Sequence, residues 1–159
     1  MTFETPAVVL GAGANGLGVV RSLARAGVSA WLLDSDGKRA EMYTRAAKPL
    51  RVRALQGEAL IEDLVRFGTT RFYGSRPVLL LTQEETVKTV SLHRNRLSEL
   101  YRFSLPPPDA VDRLQHKQGF QRLAEQLNAP IPPLVHVRTS AELAAIEKLR
   151  YPVVVKPGE

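Results

Sequence analysis

Ala7-Val8-Val9-Leu10-Gly11-Ala12-Gly13-Ala14-Asn15-Gly16-Leu17-Gly18 lies near the start of the chain, and its reading decides the fold. The apolar run Ala7–Leu10 suits a strand buried on both faces of a parallel sheet. Gly11, Gly13 and Gly16 then form G-x-G-x-x-G, and Gly18 adds a fourth glycine. Such a loop turns tightly and lets backbone approach a ligand, while the helix that follows offers free N–H groups to an anion. From Leu17 to Ala26, Val20, Leu23 and Gly27 fall at helical spacing, with Arg21 and Arg25 four apart on one solvated stripe. Gly27 can end this helix in a left-handed conformation. Ala30-Trp31-Leu32-Leu33 makes a second strand that closes on Asp34, completing a right-handed βαβ unit.

Outward from this unit the signals alternate. A short helix is expected near Lys38–Tyr43 and a third strand near Leu50–Arg53. Leu60, Ile61, Leu64 and Val65 mark an apolar helical stripe over Glu58–Phe67. Pro77–Leu81 reads as a strand, and Thr82 with Glu85 as the capping box of a helix that breaks near His93–Asn95 and resumes to Tyr101. The expected fold class is therefore α/β: a Rossmann-like parallel sheet with helices on both faces, spanning residues 1–108. Val8, Val9, Leu10, Leu32, Leu33, Val78, Leu79 and Leu80 are its candidate core.

Leu105-Pro106-Pro107-Pro108 changes the character of the chain, since three prolines stiffen it and oppose helix. Beyond it, over 109–159, a second and partial α+β region is expected. Phe120, Leu123, Ala124 and Leu127 lie at i, i+3, i+4 and i+7, a helix stopped by Asn128 and Pro130. Leu134–Val137 reads as a strand. Thr139 and Glu142 read as a second capping box, and Pro152–Lys156 as a strongly β-forming run.

Composition narrows the function classes. The 159 residues are 44% hydrophobic and 24% charged, as in a globular protein. There is no cysteine, so neither disulfides nor thiolate metal sites arise. No secretory signal is visible, and no apolar stretch approaches the roughly 18 residues that span a membrane, so a cytoplasmic setting without membrane partners is expected. The net charge of +6 comes from scattered arginines, with no basic run and no aromatic–basic alternation. That pattern argues against nucleic acid and suits small anionic ligands equally well. His93, His116 and His136 are dispersed and read as surface or locally bonded residues, not ligands.

Read from its residues, the glycine loop admits three interpretations. With Asp34 about 20 residues on, it fits a dinucleotide site, and so the NAD(P)-binding domain of an oxidoreductase. It equally fits an anion or carboxylate site holding no dinucleotide, or glycines that only let a helix pack close to a strand. Lys117, opening a helix, and Lys156, ending a strand before Pro157-Gly158, are each most simply solvated termini.

Together with their surroundings, these lysines resemble the ATP-grasp superfamily. The stretch His116-Lys117, Ala129-Pro130-Ile131-Pro132-Pro133, Thr139–Leu149 and Tyr151–Pro157 resembles the start of its ATP-binding domain, with His116 where the family usually has aspartate. VVLGAGANGLGVVRSLARAGV, with RFSLPPP later, resembles a bacterial group of predicted ATP-grasp carboligases. The resemblance implies an N-terminal pre-ATP-grasp domain followed by the beginning of an ATP-grasp domain. It implies an ATP-dependent ligase joining a carboxylate to an amine or related nucleophile through an acyl phosphate, with small-molecule carboxylate and amine substrates and with ATP and magnesium as cofactors. Lys117 and Lys156 would approach the ATP phosphates, and Gly11, Gly13, Asn15, Gly16 and Asp34 would shape the substrate site. Magnesium-binding and glycine-rich lid segments would follow Glu159 in such enzymes, so residues 1–159 alone are expected to be inactive and to hold no tightly bound cofactor. The catalytic residues are not identifiable and no metal ligands are expected in this stretch. A scaffold role, with a homodimer, is the non-catalytic alternative.

Overall fold

In the computed structural model, which describes residues 5–115 and 117–156, the apolar runs form one sheet. Ala7–Leu10 is β1, Ala30–Asp34 is β2, Lys48–Arg51 is β3 and Val78–Leu81 is β4. The order is β3-β2-β1-β4 and every pairing is parallel. The central β1 has Val8, Val9 and Leu10 fully buried, as expected of a strand covered on both faces. Val78 and Leu80, also expected inside, are only half-buried because β4 lies near the sheet's edge.

The helices lie on both faces. Helix α1, Ala14–Arg25, ends at Gly27 with φ +76° and packs Val20, Leu17 and Leu23 against Val9 and Leu32. Met42, in a short 3-10 turn over Ala40–Tyr43, joins this layer. The opposite layer is larger. It holds α2 (Gly57–Arg71), α3 (Glu84–Leu92) and α4 (Arg94–Ser98), whose Leu60, Ile61, Leu64, Val90 and Leu97 pack on Val8, Leu10, Leu33 and Leu79. Tyr101 is fully buried here and donates its hydroxyl to the Leu64 carbonyl at 2.7 Å. Burial pushes its phenol well above the ordinary tyrosine range, so it remains a neutral donor.

The third strand starts two residues earlier than its apolar signal, at Lys48. Pro49, which cannot donate to a ladder, is tolerated because β3 is an edge strand. Asp63 of α2, 4% exposed, secures the chain after β3: it accepts the Arg53 backbone N–H at 2.7 Å and Arg53 Nε at 2.9 Å. The proline stretch is followed directly by a helix, α5 (Pro108–Gln115), with Pro108 in the first turn, where its missing N–H costs nothing. Val111 of α5 is buried, and Gln115 donates to the Glu84 carbonyl.

The chain divides into two compact units, residues 1–116 and 117–159. In the second, α6 spans Lys117–Gln126 and Asn128 takes φ +51°, closing the helix as its sequence suggests. Neither expected strand forms among the described residues: 134–137 and 152–156 have no ladder partners. Val154 and Val155 are 82% and 86% exposed. Strand propensity alone does not make a strand when no neighbour supplies hydrogen bonds. The expected capping box also differs. Ser140–Lys148 forms a 3-10 helix, and Glu142 accepts from the Arg138 N–H at 2.7 Å.

Candidate functional site at the sheet's switch point

From β1 the chain steps outward through β2 to β3, then crosses back to place β4 on the other side of β1. Open α/β sheets bind ligands at such a reversal, beyond the carboxyl ends of the strands. The glycine loop leaves β1 there, and the loop after β4 lies beside it.

The glycines have separate tasks. Gly11, at φ +95°, takes a conformation other residues resist, and a Cβ there would lie 2.6 Å from Thr82 Oγ1. At Gly16 a Cβ would stand 1.8 Å from the Gly11 carbonyl oxygen, so this position is restricted to glycine by the loop's own backbone. Close packing therefore accounts for Gly11 and Gly16. Gly13 and Gly18 differ, for nothing lies within 4 Å of a Cβ added at either. Gly13 immediately precedes α1, whose first turn has no acidic side chain. The exposed N-terminus of α1 thus faces open space.

Asp34 is buried, at 1% exposure. Its Oδ2 accepts the Ala12 N–H at 2.7 Å and its Oδ1 accepts the Asp36 N–H at 2.9 Å, while Arg39 Nε lies 3.5 Å from Oδ1. Both oxygens are engaged with backbone, which ties the end of β2 to the glycine loop.

Thr82 does not cap α3. The helix begins two residues later, and the Thr82 hydroxyl donates instead toward the carbonyls of Leu10 at 2.7 Å and Gly11 at 3.0 Å. It clasps the β4 loop to the glycine loop. Beside this clasp runs an open groove of about 780 Å³ between α1 and the start of α3. Asn15, Ser22, Thr82, Gln83 and Glu84 supply its polar groups, and Val19 and Val87 part of its apolar wall. Of the expected substrate-site residues, Asn15 lines the groove, and Gly11, Gly13, Gly16 and Asp34 build the loop at its rim. Gln83 and Glu84 were not singled out by their own sequence signals. Their position directly after an apolar parallel strand was the available clue.

Lys117 is the first residue of α6, as expected. Lys156 is exposed at the end of the second unit's described chain, with no ion pair among the described residues. The expectations at His116 and Pro157-Gly158 lie outside the described residues. His136 Nε2 is 2.7 Å from Gln121 Oε1, and His93 Nδ1 is 3.9 Å from Glu58 Oε2, in keeping with locally bonded histidines. Among the described residues no three His, Asp or Glu side chains assemble as a metal site, and no helix is long and apolar enough to cross a membrane.

No protein-family model matches the chain. In sequence it is 27% identical to the carbamoyl phosphate synthase large chain of Thermomicrobium roseum over 168 residues, covering 96% of this chain and 15% of that protein. A 52-residue stretch is 43% identical to the corresponding large chain of Pseudomonas syringae pv. tomato, covering 32% of this chain and 5% of that one. In structure, N5-carboxyaminoimidazole synthetase from Staphylococcus aureus, solved with ADP, superposes with a TM-score of 0.63 at 19% identity over 94% of this chain. The biotin carboxylase domain of a single-chain bacterial carboxylase does so with a TM-score of 0.57 at 20% identity over 90%. The chain spans 36% and 34% of these two structures.

Proposed function

We propose that this chain, which carries the N-terminal fold of the ATP-grasp superfamily, serves as the substrate-side portion of an ATP-dependent ligase. The observation that carries the reading is the sequence likeness to part of a carbamoyl phosphate synthase large chain, at 27% identity over 96% of this chain and 15% of that protein. In the proposed reaction a carboxylate oxygen attacks the γ-phosphorus of ATP and ADP departs. An amine or related nucleophile then attacks the acyl carbon and phosphate leaves. Magnesium would neutralise charge between the phosphates. Among the described residues none is assigned to it.

The groove beside α1 suits the small substrate. Asn15 and Gln83 can hydrogen-bond a carboxylate near the α1 N-terminus, and Glu84 offers a counter-charge for an amine. Gly13 leaves room for close backbone approach. Gly11 and Gly16 set the loop's shape, and Asp34 acts as a positioning residue through Ala12. The engagement of both Asp34 oxygens with backbone favours this reading over a dinucleotide one, in which that carboxylate must accept ribose hydroxyls. Lys117 and Lys156 are assigned to the ATP phosphates. A compact charge on a flexible stem suits a moving triphosphate, and the exposed Lys156 makes no ion pair among the described residues.

Titration calorimetry with NAD, NADP and ATP–magnesium tests the assignment. Neither dinucleotide should bind in the micromolar range. ATP should bind residues 1–159 no better than millimolar, weakened by Lys117→Ala and Lys156→Ala and unaffected by Asn15→Asp. Micromolar binding of NAD or ATP abolished by Asn15→Asp would put a nucleotide in the glycine loop and overturn the reading.

A further inference from the structure

A second cavity, of about 280 Å³, lies in the first unit away from the glycine loop. Its walls include Arg76, just before β4, and Arg102, which bridges to Val78 at the start of β4. In a parallel sheet these positions mark the end opposite the strand tips that carry Gly11 and Thr82. Arg94, Asn95 and Ser98 of α4 and Phe103 complete the lining of this open cleft.

Three arginines line this small space and no aspartate or glutamate does. None of the three makes an ion pair among the described residues, although Arg39, Arg53, Arg66, Arg96 and Arg113 all do. Two are held by neutral carbonyls. Arg94 donates through Nη1 to Pro106 O at 2.9 Å and through Nη2 to Leu105 O at 2.8 Å. Arg76 donates through Nη2 to Tyr101 O at 3.1 Å. These bonds orient the groups without neutralising them, and each guanidinium keeps further donors. The Arg102 side chain has no hydrogen-bond or ion-pair partner among the described residues. Pre-oriented, unneutralised guanidinium forks are the usual means of gripping a tetrahedral oxyanion. Asn95 and Ser98 add neutral polar groups beside them.

We propose that Arg76, Arg94 and Arg102 form a binding site for a phosphate group, free or as the monoester end of a small molecule. The cavity lies at the lower end of ligand-pocket sizes, so it takes one such group and not a nucleotide. The site does not depend on the ligase reading, because it shares no residue with the glycine-loop groove.

Calorimetric titration of the 159-residue chain with inorganic phosphate and with glycerol 3-phosphate, at constant ionic strength in chloride, tests it. At least one should bind with a submillimolar dissociation constant. Arg102→Gln should weaken that binding at least tenfold with unchanged circular dichroism and melting temperature, since the side chain it removes has no structural partner. Arg102→Lys should fall between the two, keeping charge and losing the planar fork. Asn15→Asp, which places a negative charge in the other groove, should leave phosphate affinity unchanged. Tighter binding of glycerol 3-phosphate supports an ester ligand, and tighter binding of inorganic phosphate supports the free ion. Binding insensitive to Arg102→Gln, binding abolished by Asn15→Asp, or no submillimolar binding of either probe would overturn the proposal.

Discussion

Ala7-Val8-Val9-Leu10 and Val153-Val154-Val155-Lys156 are runs of nearly equal strand propensity with opposite fates. The first is the central strand of a parallel sheet, paired on both sides and buried. The second is unpaired chain with Val154 and Val155 almost fully exposed. The difference lies in the partners. Residues 30–34 and 78–81 bring β1 its hydrogen bonds, and two helical layers cover its faces, whereas the described residues of the second unit offer no neighbouring strand. β-Propensity expresses how well a residue fits a pleated, half-buried surface, so it has no effect until that surface exists.

This contrast can be broken most severely at the glycine loop. Gly16→Ala sets a methyl group against the Gly11 carbonyl oxygen, with no flexible side chain to yield. It should cost more than about 4 kcal/mol or prevent folding. Gly18→Ala, two residues along the same helix with open space around it, should stabilise by roughly 0.5–1 kcal/mol. Urea unfolding followed by the fluorescence of Trp31, the single tryptophan, measures both. Equal effects at the two positions would mean that the loop does not close on α1 as described.

A smaller effect is expected from truncating one member of each apolar run. Leu79→Ala, inside the sheet at 3% exposure, should lose about 2–5 kcal/mol. Val154→Ala should stay within about 0.5 kcal/mol of the parent. A Val154→Ala loss matching that of Leu79→Ala would show that the second run is buried after all.

A loss smaller than that of Leu79→Ala is expected at Asp34. Removing its carboxylate leaves the Ala12 and Asp36 N–H groups without acceptors, and Asp34→Ala should destabilise by about 1–3 kcal/mol. Hydrogen exchange sharpens the result, because the Ala12 amide should lose protection while those of Val8 and Val9 keep theirs. An unchanged Ala12 amide would contradict the clasp between β2 and the glycine loop.

How much was legible follows from how local each signal is. Strands β1, β2 and β4 were readable because uninterrupted apolar runs bounded by glycine or polar residues announce buried parallel strands. Helix α2 was readable in its interior from Leu60, Ile61 and Leu64, although it continues to Arg71. The glycine loop stood out, but the division of labour within it did not. That Gly16 faces a carbonyl oxygen while Gly13 faces open space depends on where α1 lands, and spacing does not carry that information. Thr82 illustrates the same limit. Thr-x-x-Glu is a sound capping signature, yet the hydroxyl donates to the carbonyls of Leu10 and Gly11, which lie 72 and 71 residues away in sequence. The arginine cavity was invisible for a related reason, since Arg76, Arg94 and Arg102 meet only because β4 and the chain after α4 run side by side.

By itself, the sequence determined that the first hundred residues fold as a parallel α/β sheet with a glycine loop after its first strand. Hydrophobic period and glycine placement act over a few residues and need no distant information. Only the tertiary structure decided which carbonyl Thr82 reaches, that Asp34 spends its carboxylate on backbone, and that Val153–Lys156 stays unpaired. Each of these depends on a partner supplied from elsewhere in the fold, because a hydrogen bond or a ladder is a property of two segments.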